Sequence, residues 1–318
     1  MRLVYYGTPA LAVPPLTRLV EEGRTPLLVV TRGDRPKGRG LSSAPSPVRA
    51  AAEARGIPVA TPARAGAPEE LERLRILQPD LLVLVAYGQI LSPEVLAIPR
   101  IGALNVHFSL LPRHRGASPI QSAILAGDPE TGVTTMWMTE GLDEGPVFAS
   151  LRTPIGPDED AGTLSARLSE LGATCLSETL ARIERGENVR KSQDPAAATY
   201  APKLSRLDEQ LTTDLDPHTF ARKVRALAPT PGAHLDLERG ALQIMAASPG
   251  PDGAPGGTPR AGTVVRLDRE WGLLLALRAG AVWLTRVRAS GRKEMGGFDY
   301  ANGARLRPGA LLVPEARP

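Results

Sequence analysis

Asn105-Val-His107-Phe-Ser109-Leu-Leu-Pro112-Arg-His-Arg115-Gly-Ala-Ser-Pro119-Ile-Gln121 is the stretch on which the reading of this chain turns. The apolar run Ile101-Gly-Ala-Leu104 before it predicts the end of a buried strand, and residues 117–126 after it predict a helix. A strand that passes through a loop into a helix is where open α/β sheets place ligand-binding groups. Asn105 and His107 are two residues apart, so on an extended strand both point to one face. One can donate an amide hydrogen bond and the other can donate or accept a proton. That pair suits stabilisation of charge developing in acyl transfer. An isolated Asn-x-His serves equally well to satisfy local backbone groups, so the rest of the chain must decide.

Working outward, Leu3-Val-Tyr-Tyr6 predicts a first strand, closed by Gly7-Thr-Pro9 and followed by a helix over Leu11–Val20. That turn has one glycine, not the three at fixed spacing of a dinucleotide fingerprint, which argues against a nicotinamide dehydrogenase. Pro26–Val30 predicts a second strand, residues 57–60 a short one, and Asp80–Ala86 a continuously apolar one typical of a central parallel strand. Between them, Arg32–Pro47 predicts a long basic loop. Val133–Met138 alternates as a strand, and Gly141-Leu-Asp143-Glu-Gly145 is a glycine-flanked acidic turn. Residues 161–185 show helical periodicity, with Leu164, Leu168, Leu171, Cys175, Leu176 and Leu180 on the core side.

Beyond a polar, aperiodic run, the character changes. Five short strand-like runs (233–237, 241–245, 262–267, 272–277 and 281–288) suit a small β-barrel, with Pro249–Pro259 as a Gly/Pro-rich loop. In the last run, Trp283, Thr285 and Val287 predict one face, and Arg286 and Arg288 the other. The whole is read as α/β: a Rossmann-like, open, mostly parallel sheet with a C-terminal OB-like β-barrel domain. The expected domains are 1–186 and 206–318, with 187–205 as linker.

The chain has 318 residues and a net charge of +4. From Lys203 onward it holds 17 Lys+Arg against 12 Asp+Glu, so the positive excess belongs to the C-terminal third. A basic accessory domain suits an anionic partner such as nucleic acid. The single cysteine, Cys175, excludes an internal disulfide and falls on an apolar helical position. His107, His114, His218 and His234 are scattered without cysteine partners, so no metal site is expected. No run reaches the roughly 18 apolar residues of a membrane helix. Met1-Arg-Leu-Val-Tyr5 enters a strand at once, which leaves no room for a signal peptide. A cytoplasmic monomer is the simplest expectation.

Taken in order, Tyr6-Gly-Thr-Pro9, Asp34-Arg-Pro-Lys-Gly-Arg-Gly40, Pro45-Ser-Pro-Val48, Ala86-Tyr-Gly-Gln-Ile-Leu91, the Asn105–Gln121 stretch, Gly127-Asp128, Thr131–Thr134, Gly141–Gly145 and Tyr200-Ala-Pro-Lys-Leu204 resemble the formyltetrahydrofolate-dependent transferases. The resemblance spans nearly the whole chain and is weakest beyond about residue 246. It implies 10-formyltetrahydrofolate as co-substrate and Asn105, His107 and Asp143 as the catalytic residues. The backbone of Gln89, Ile90 and Leu91, with Ser109, Leu110, Leu111 and Pro112, would hold the folate. With initiator methionyl-tRNA as acceptor, Arg35, Lys37, Arg39, Lys203, Arg286 and Arg288 would contact it. Glycinamide ribonucleotide and amino-sugar acceptors, formyltetrahydrofolate hydrolysis, and a folate- or RNA-binding protein without turnover share parts of this signature.

Two departures matter. Leu41-Ser-Ser43 stands where many relatives carry lysines. Phe108 stands where most have a smaller residue, and strand alternation from His107 predicts that its ring turns into the core.

Overall fold

A computed structural model describes residues 1–33, 35–37, 42–238, 240–251 and 259–314. The chain divides into two compact units. The first comprises Met1–Pro119, Glu130–Pro154 and Ser165–Pro202; the second comprises Ile120–Pro129, Ile155–Leu164 and Lys203–Pro318.

In the first unit, β1 (Leu3–Gly7), β2 (Leu28–Val30), β5 (Val59–Ala60), β6 (Leu81–Val85) and β7 (Gly102–His107) form a parallel array. Strands β9 (Glu130–Trp137) and β10 (Val147–Pro154) extend it antiparallel beyond β7, giving the order β10-β9-β7-β6-β1-β2-β5. Strand β6 is Leu-Leu-Val-Leu-Val and wholly buried, because both its faces are covered. It pairs with β1 on one side and β7 on the other. The chain runs from β1 outward through β2 to β5, then returns to the other side of β1 at β6. The order therefore reverses between β1 and β6, the point where such sheets open a crevice at their carboxyl ends. The hydroxyl of Thr8, just past β1, donates to the carbonyl of Tyr87, just past β6, at 2.9 Å.

Helix starts follow the sequence chemistry. Helix α1 (Val13–Glu21) carries Pro14 and Pro15 in its first turn, where no backbone N–H is needed. Helix α2 (Pro47–Glu53) is capped by Ser46, whose Oγ accepts from the Arg49 amide at 3.0 Å. Helices α3 (Pro68–Leu77) and α4 (Pro93–Leu96) also begin with proline.

Three local expectations need correction. The 32–47 stretch is not an unstructured loop: β3 (Arg35–Lys37) and β4 (Ser42–Ala44) pair as an antiparallel hairpin. Strand β9 does not alternate, since Thr131–Trp137 is buried throughout on an inner strand. The run 187–202 is tied to the first unit. Lys191 bridges to Val147, and β11 (Tyr200–Ala201) pairs with β8 (Arg115–Gly116). The Trp137 indole also donates to the Val189 carbonyl at 2.8 Å. Helix α5 (Pro119–Ala126) matches its prediction closely. Along helix α6 (Ala161–Glu184), the expected core residues are buried except Leu171, which is half-exposed.

The second unit is built on an antiparallel sheet. Its strands β12 (Ala233–Leu237), β13 (Gly240–Pro249), β14 (Val264–Asp268), β15 (Gly272–Ala276) and β16 (Ala281–Ala289) are ordered β12-β13-β16-β15-β14, and β17 (Met295–Gly296) pairs with β16. No β12–β14 pairing closes it among the described residues. Helices α7 (Pro217–Leu227) and α8 (Gly297–Gly303) belong to this unit, and Phe220, Val224 and Leu227 enter its apolar core with Val282, Leu284 and Val287.

Trp283 does not share a face with Val287. Ala246 pairs with Arg286 and Ala247 with Leu284, so Thr285 is skipped and the strand bulges. The extra residue inverts the alternation. Trp283 packs instead with Leu274 and Ala281, under the Arg266 guanidinium at 5.2 Å. Among the described residues, no helix is long and apolar enough to cross a membrane.

Candidate active site

Strand β7 ends at Asn105-Val-His107, and its two polar side chains meet a third from the 141–145 turn. The Asn105 amide donates to Asp143 Oδ1 at 3.3 Å. His107 Nδ1 lies 3.6 Å from Asp143 Oδ2, which also accepts from the Gly116 amide at 2.8 Å. His107 Nε2 is 2.9 Å from the carbonyl of His114; a carbonyl only accepts, so Nε2 carries the proton. The imidazole is thus held at one edge, with its other nitrogen turned to the carboxylate, and is only 5% exposed.

Asp143 is set by its turn as much as by its partners. Its φ is +50°, in the left-handed region that most side-chain-bearing residues avoid and aspartate tolerates better than most. Ala86 at the end of β6 (φ +47°) and His114 after β7 (φ +57°) share that conformation. Gly145 lets the turn close: a Cβ there would sit 1.9 Å from the Trp137 carbonyl oxygen.

Gln193 supplies the restraint that sequence reading missed. Its amide nitrogen donates to the carbonyls of Asp143 and Gly145, at 2.9 and 2.8 Å. Its oxygen accepts from Nε and Nη2 of the buried Arg115, at 3.1 and 2.8 Å. The only sequence signal was a glutamine inside a run without periodicity.

The loop after β7 is held from β9. Thr134 Oγ1 donates to the Ser109 carbonyl at 2.7 Å and accepts from the Leu111 amide at 3.2 Å. Ser109 Oγ donates to the Arg113 carbonyl at 2.6 Å. Leu110 reaches over Gly132, and the Pro112 carbonyl accepts from the Thr199 amide. Past β6, the Gln89 side chain is fixed to the backbone of Ala65 at 2.9 Å, Leu91 is buried in the core, and Ile90 is 87% exposed. The backbone groups of Gln89–Leu91 have no hydrogen-bond partners among the described residues, which suits a ring bearing donors and acceptors.

Two aromatics near the site are structural. The Phe108 ring turns into the core against Gly172 of α6, as alternation predicts. Tyr87 stacks edge-on with Tyr6, ring centroids 5.2 Å apart. Cys175 is buried, and desolvation pushes its thiol up to about 11, so it is not an available nucleophile.

The residues expected at the RNA are divided between the two units. Arg35 and Lys37 lie on β3, Arg39 lies outside the described residues, and Lys203 is exposed at the start of the second unit's main segment. Arg286 and Arg288 are exposed on one face of β16. Arg286 is paired with Glu294, whereas Arg288 Nε donates to Gln243 at 3.0 Å. Among the described residues, no group of His, Cys, Asp or Glu side chains is arranged to hold a metal ion.

Residues 1–180 match the formyl transferase family, and residues 215–305 match the formyl transferase C-terminal domain. The chain belongs to the formyl transferase family. Among curated relatives, the methionyl-tRNA formyltransferase of Halorhodospira halophila is 47% identical over 310 residues, covering 97% of this chain and 98% of that protein. That of Symbiobacterium thermophilum is 44% identical over 318 residues, covering 100% and 97%. Solved structures share the fold of this formyl transferase. HypX from Aquifex aeolicus in complex with tetrahydrofolic acid superposes with a TM-score of 0.63 at 20% identity, covering 95% of this chain and 47% of that one. The N-formyltransferase from Helicobacter canadensis, in complex with folinic acid and dTDP-3-aminofucose, gives 0.66 at 16% identity, covering 89% and 98%.

Proposed function

We propose that this formyl transferase moves the formyl group of 10-formyltetrahydrofolate to the α-amine of methionine esterified to initiator tRNA, for translation initiation. The observation that carries this reading is the convergence of Asn105, His107 and Asp143 in a chain 47% identical along its length to a methionyl-tRNA formyltransferase.

The amine nitrogen attacks the formyl carbon, and negative charge develops on the formyl oxygen. Asn105 donates its amide hydrogen bond to that oxygen, the kind of fixed donor that favours the transition state over the ground state. Because His107 Nε2 is committed to the His114 carbonyl, Nδ1 is the ring nitrogen left to exchange a proton. Asp143 orients the ring and takes the proton lost by the attacking amine, directly or through water. Collapse breaks the bond from the formyl carbon to N10, which receives a proton as it leaves. The backbone of Gln89–Leu91 and of Ser109–Pro112 holds the folate.

In this reading residues 1–186 are the catalytic domain, 187–205 the connection, and 206–318 an OB-like tRNA-binding domain. Arg35, Lys37, Arg39, Lys203, Arg286 and Arg288 contact phosphates. Arg288 contributes more than Arg286, whose charge is shared with Glu294. The enzyme acts as a cytoplasmic monomer.

The test is formyl transfer from 10-formyltetrahydrofolate to methionyl-initiator tRNA, with elongator methionyl-tRNA and a UDP-amino-sugar as parallel acceptors. Turnover confined to the initiator is the expected result. Turnover of the sugar alone overturns the acceptor, and folate binding without product on any acceptor overturns the enzyme.

A further inference from the structure

We infer that the second unit contains a phosphate-binding subsite, in a cavity of about 220 Å³ lined by Arg222, Arg225, His218, Ser248, Asp158 and Gly127. The formyl-transfer reading enters only in naming tRNA as one source of the phosphate.

His218, Arg222 and Arg225 are spaced by four and three residues on α7, so they share one face of the helix. Neither guanidinium is held in a close ion pair, although Asp158 and Glu159 act on Arg225, and Asp216 on Arg222, at longer range. Among the described residues, neither has a carboxylate oxygen within 4.0 Å. Arg222 Nη2 donates to Thr219 Oγ1 at 3.0 Å, but its Nε is buried with no acceptor. Arg225 Nη1 donates to the Glu159 carbonyl at 3.1 Å, and burial lowers its proton affinity. A buried N–H without a partner is uncommon in native proteins and calls for an acceptor.

Gly127 belongs to the same arrangement. A Cβ there would lie 2.9 Å from Arg222 Nη1, so a larger residue would displace the guanidinium from its present position. Gly127-Asp128 is a sequence motif that the catalytic reading leaves without a role.

The chemistry of the missing acceptor follows. A planar guanidinium matches two oxygens of a phosphate, and a second one beside it answers a second negative charge. The cavity is smaller than the roughly 300–1,000 Å³ of whole small-molecule sites, so it suits one group rather than a complete ligand. Asp158 faces the cavity but is exposed, and solvent and salt screen its repulsion. The phosphate can be a phosphodiester of the tRNA backbone or the phosphate of a free ligand.

The experiment uses the full chain, Arg222→Gln, and Ser248→Asp. The last keeps both arginines and adds a negative charge at the cavity, so it covers the case in which Arg222→Gln does not fold. Thermal midpoints are compared in inorganic phosphate and in chloride at equal ionic strength. Binding of initiator tRNA is measured across salt concentrations. The expected result is a phosphate-specific rise in midpoint for the unmodified protein that either substitution removes. If the source is tRNA, the slope of log affinity against log salt also becomes shallower by about 0.7–0.9, the value of one phosphate contact. A midpoint effect with an unchanged slope assigns the subsite to a free phosphate ligand. No phosphate-specific midpoint rise together with an unchanged slope overturns the subsite. Failure of the unmodified protein to formylate initiator tRNA, with the midpoint effect intact, removes the tRNA source and leaves the subsite standing.

Discussion

The side-chain amide of Gln193 holds the turn that carries Asp143 by donating to the carbonyls of Asp143 and Gly145, at 2.9 and 2.8 Å. The same amide is fixed by Arg115, so the loop after β7 and the acidic turn are positioned through one side chain. Gln193→Ala removes the donors to the carbonyls of Gly145 and of Asp143, which is held at φ +50°. At about 1 kcal/mol for each hydrogen bond, kcat is expected to fall roughly 10- to 50-fold. The Michaelis constant for folate should change little. Gln193→Glu keeps the acceptor for Arg115 but loses the donors, so it should behave like the alanine variant. Steady-state kinetics of both variants, with a folding control, check this; a loss confined to the Michaelis constants would refute the positioning role.

Asn105→Ala should reduce kcat by about 100- to 1000-fold, the usual cost of one oxyanion donor. Tetrahydrofolate binding measured by calorimetry should remain, because the folate-holding role rests on other residues. Asp143→Asn should also lower kcat, since it keeps the shape but loses the negative charge facing His107 Nδ1 at 3.6 Å. Wild-type turnover in either variant would remove it from the mechanism.

Phe108 and Gly172 should be coupled in stability. A Cβ at Gly172 would lie 3.1 Å from Phe108 Cε1, so Gly172→Ala alone is expected to cost about 1 kcal/mol by overpacking. Phe108→Ala should cost about 3–5 kcal/mol by leaving a cavity. In that background Gly172→Ala should stabilise, because its methyl enters the void and alanine suits a helix better by about 1 kcal/mol. Urea unfolding of the four proteins measures the sign change, and simple additivity would contradict this packing.

Cys175 gives a pH prediction with a definite sign. Burial raises its thiol from an ordinary value of 9.0 to about 11. The unfolded chain therefore loses this proton first as pH rises. The contribution is complete below pH 9.0 and declines through pH 11, by about 2–3 kcal/mol in all. Unfolding midpoints of the unmodified protein and Cys175→Ala should converge or cross over that window. In the native state at pH 8 the thiol should resist alkylation, and rapid labelling would show that it is accessible.

The sequence by itself determined the sheet and where its chemistry sits. Apolar runs at 81–85 and 102–104 read as inner strands, and the period of two placed Asn105 and His107 on one face while sending Phe108 the other way. Those are short-range consequences of residue type and spacing. Tertiary structure alone decided which nitrogen of His107 faces Asp143, because the His114 carbonyl claims the other. It also decided that residue 193, fifty positions along the chain from Asp143, restrains that turn. In the second unit, one skipped residue at Thr285 moved Trp283 to the opposite face from Val287. A bulge and a long-range hydrogen bond both depend on which segments lie side by side. No local pattern encodes that, because the partner's geometry, and not the residue's own preference, sets the outcome.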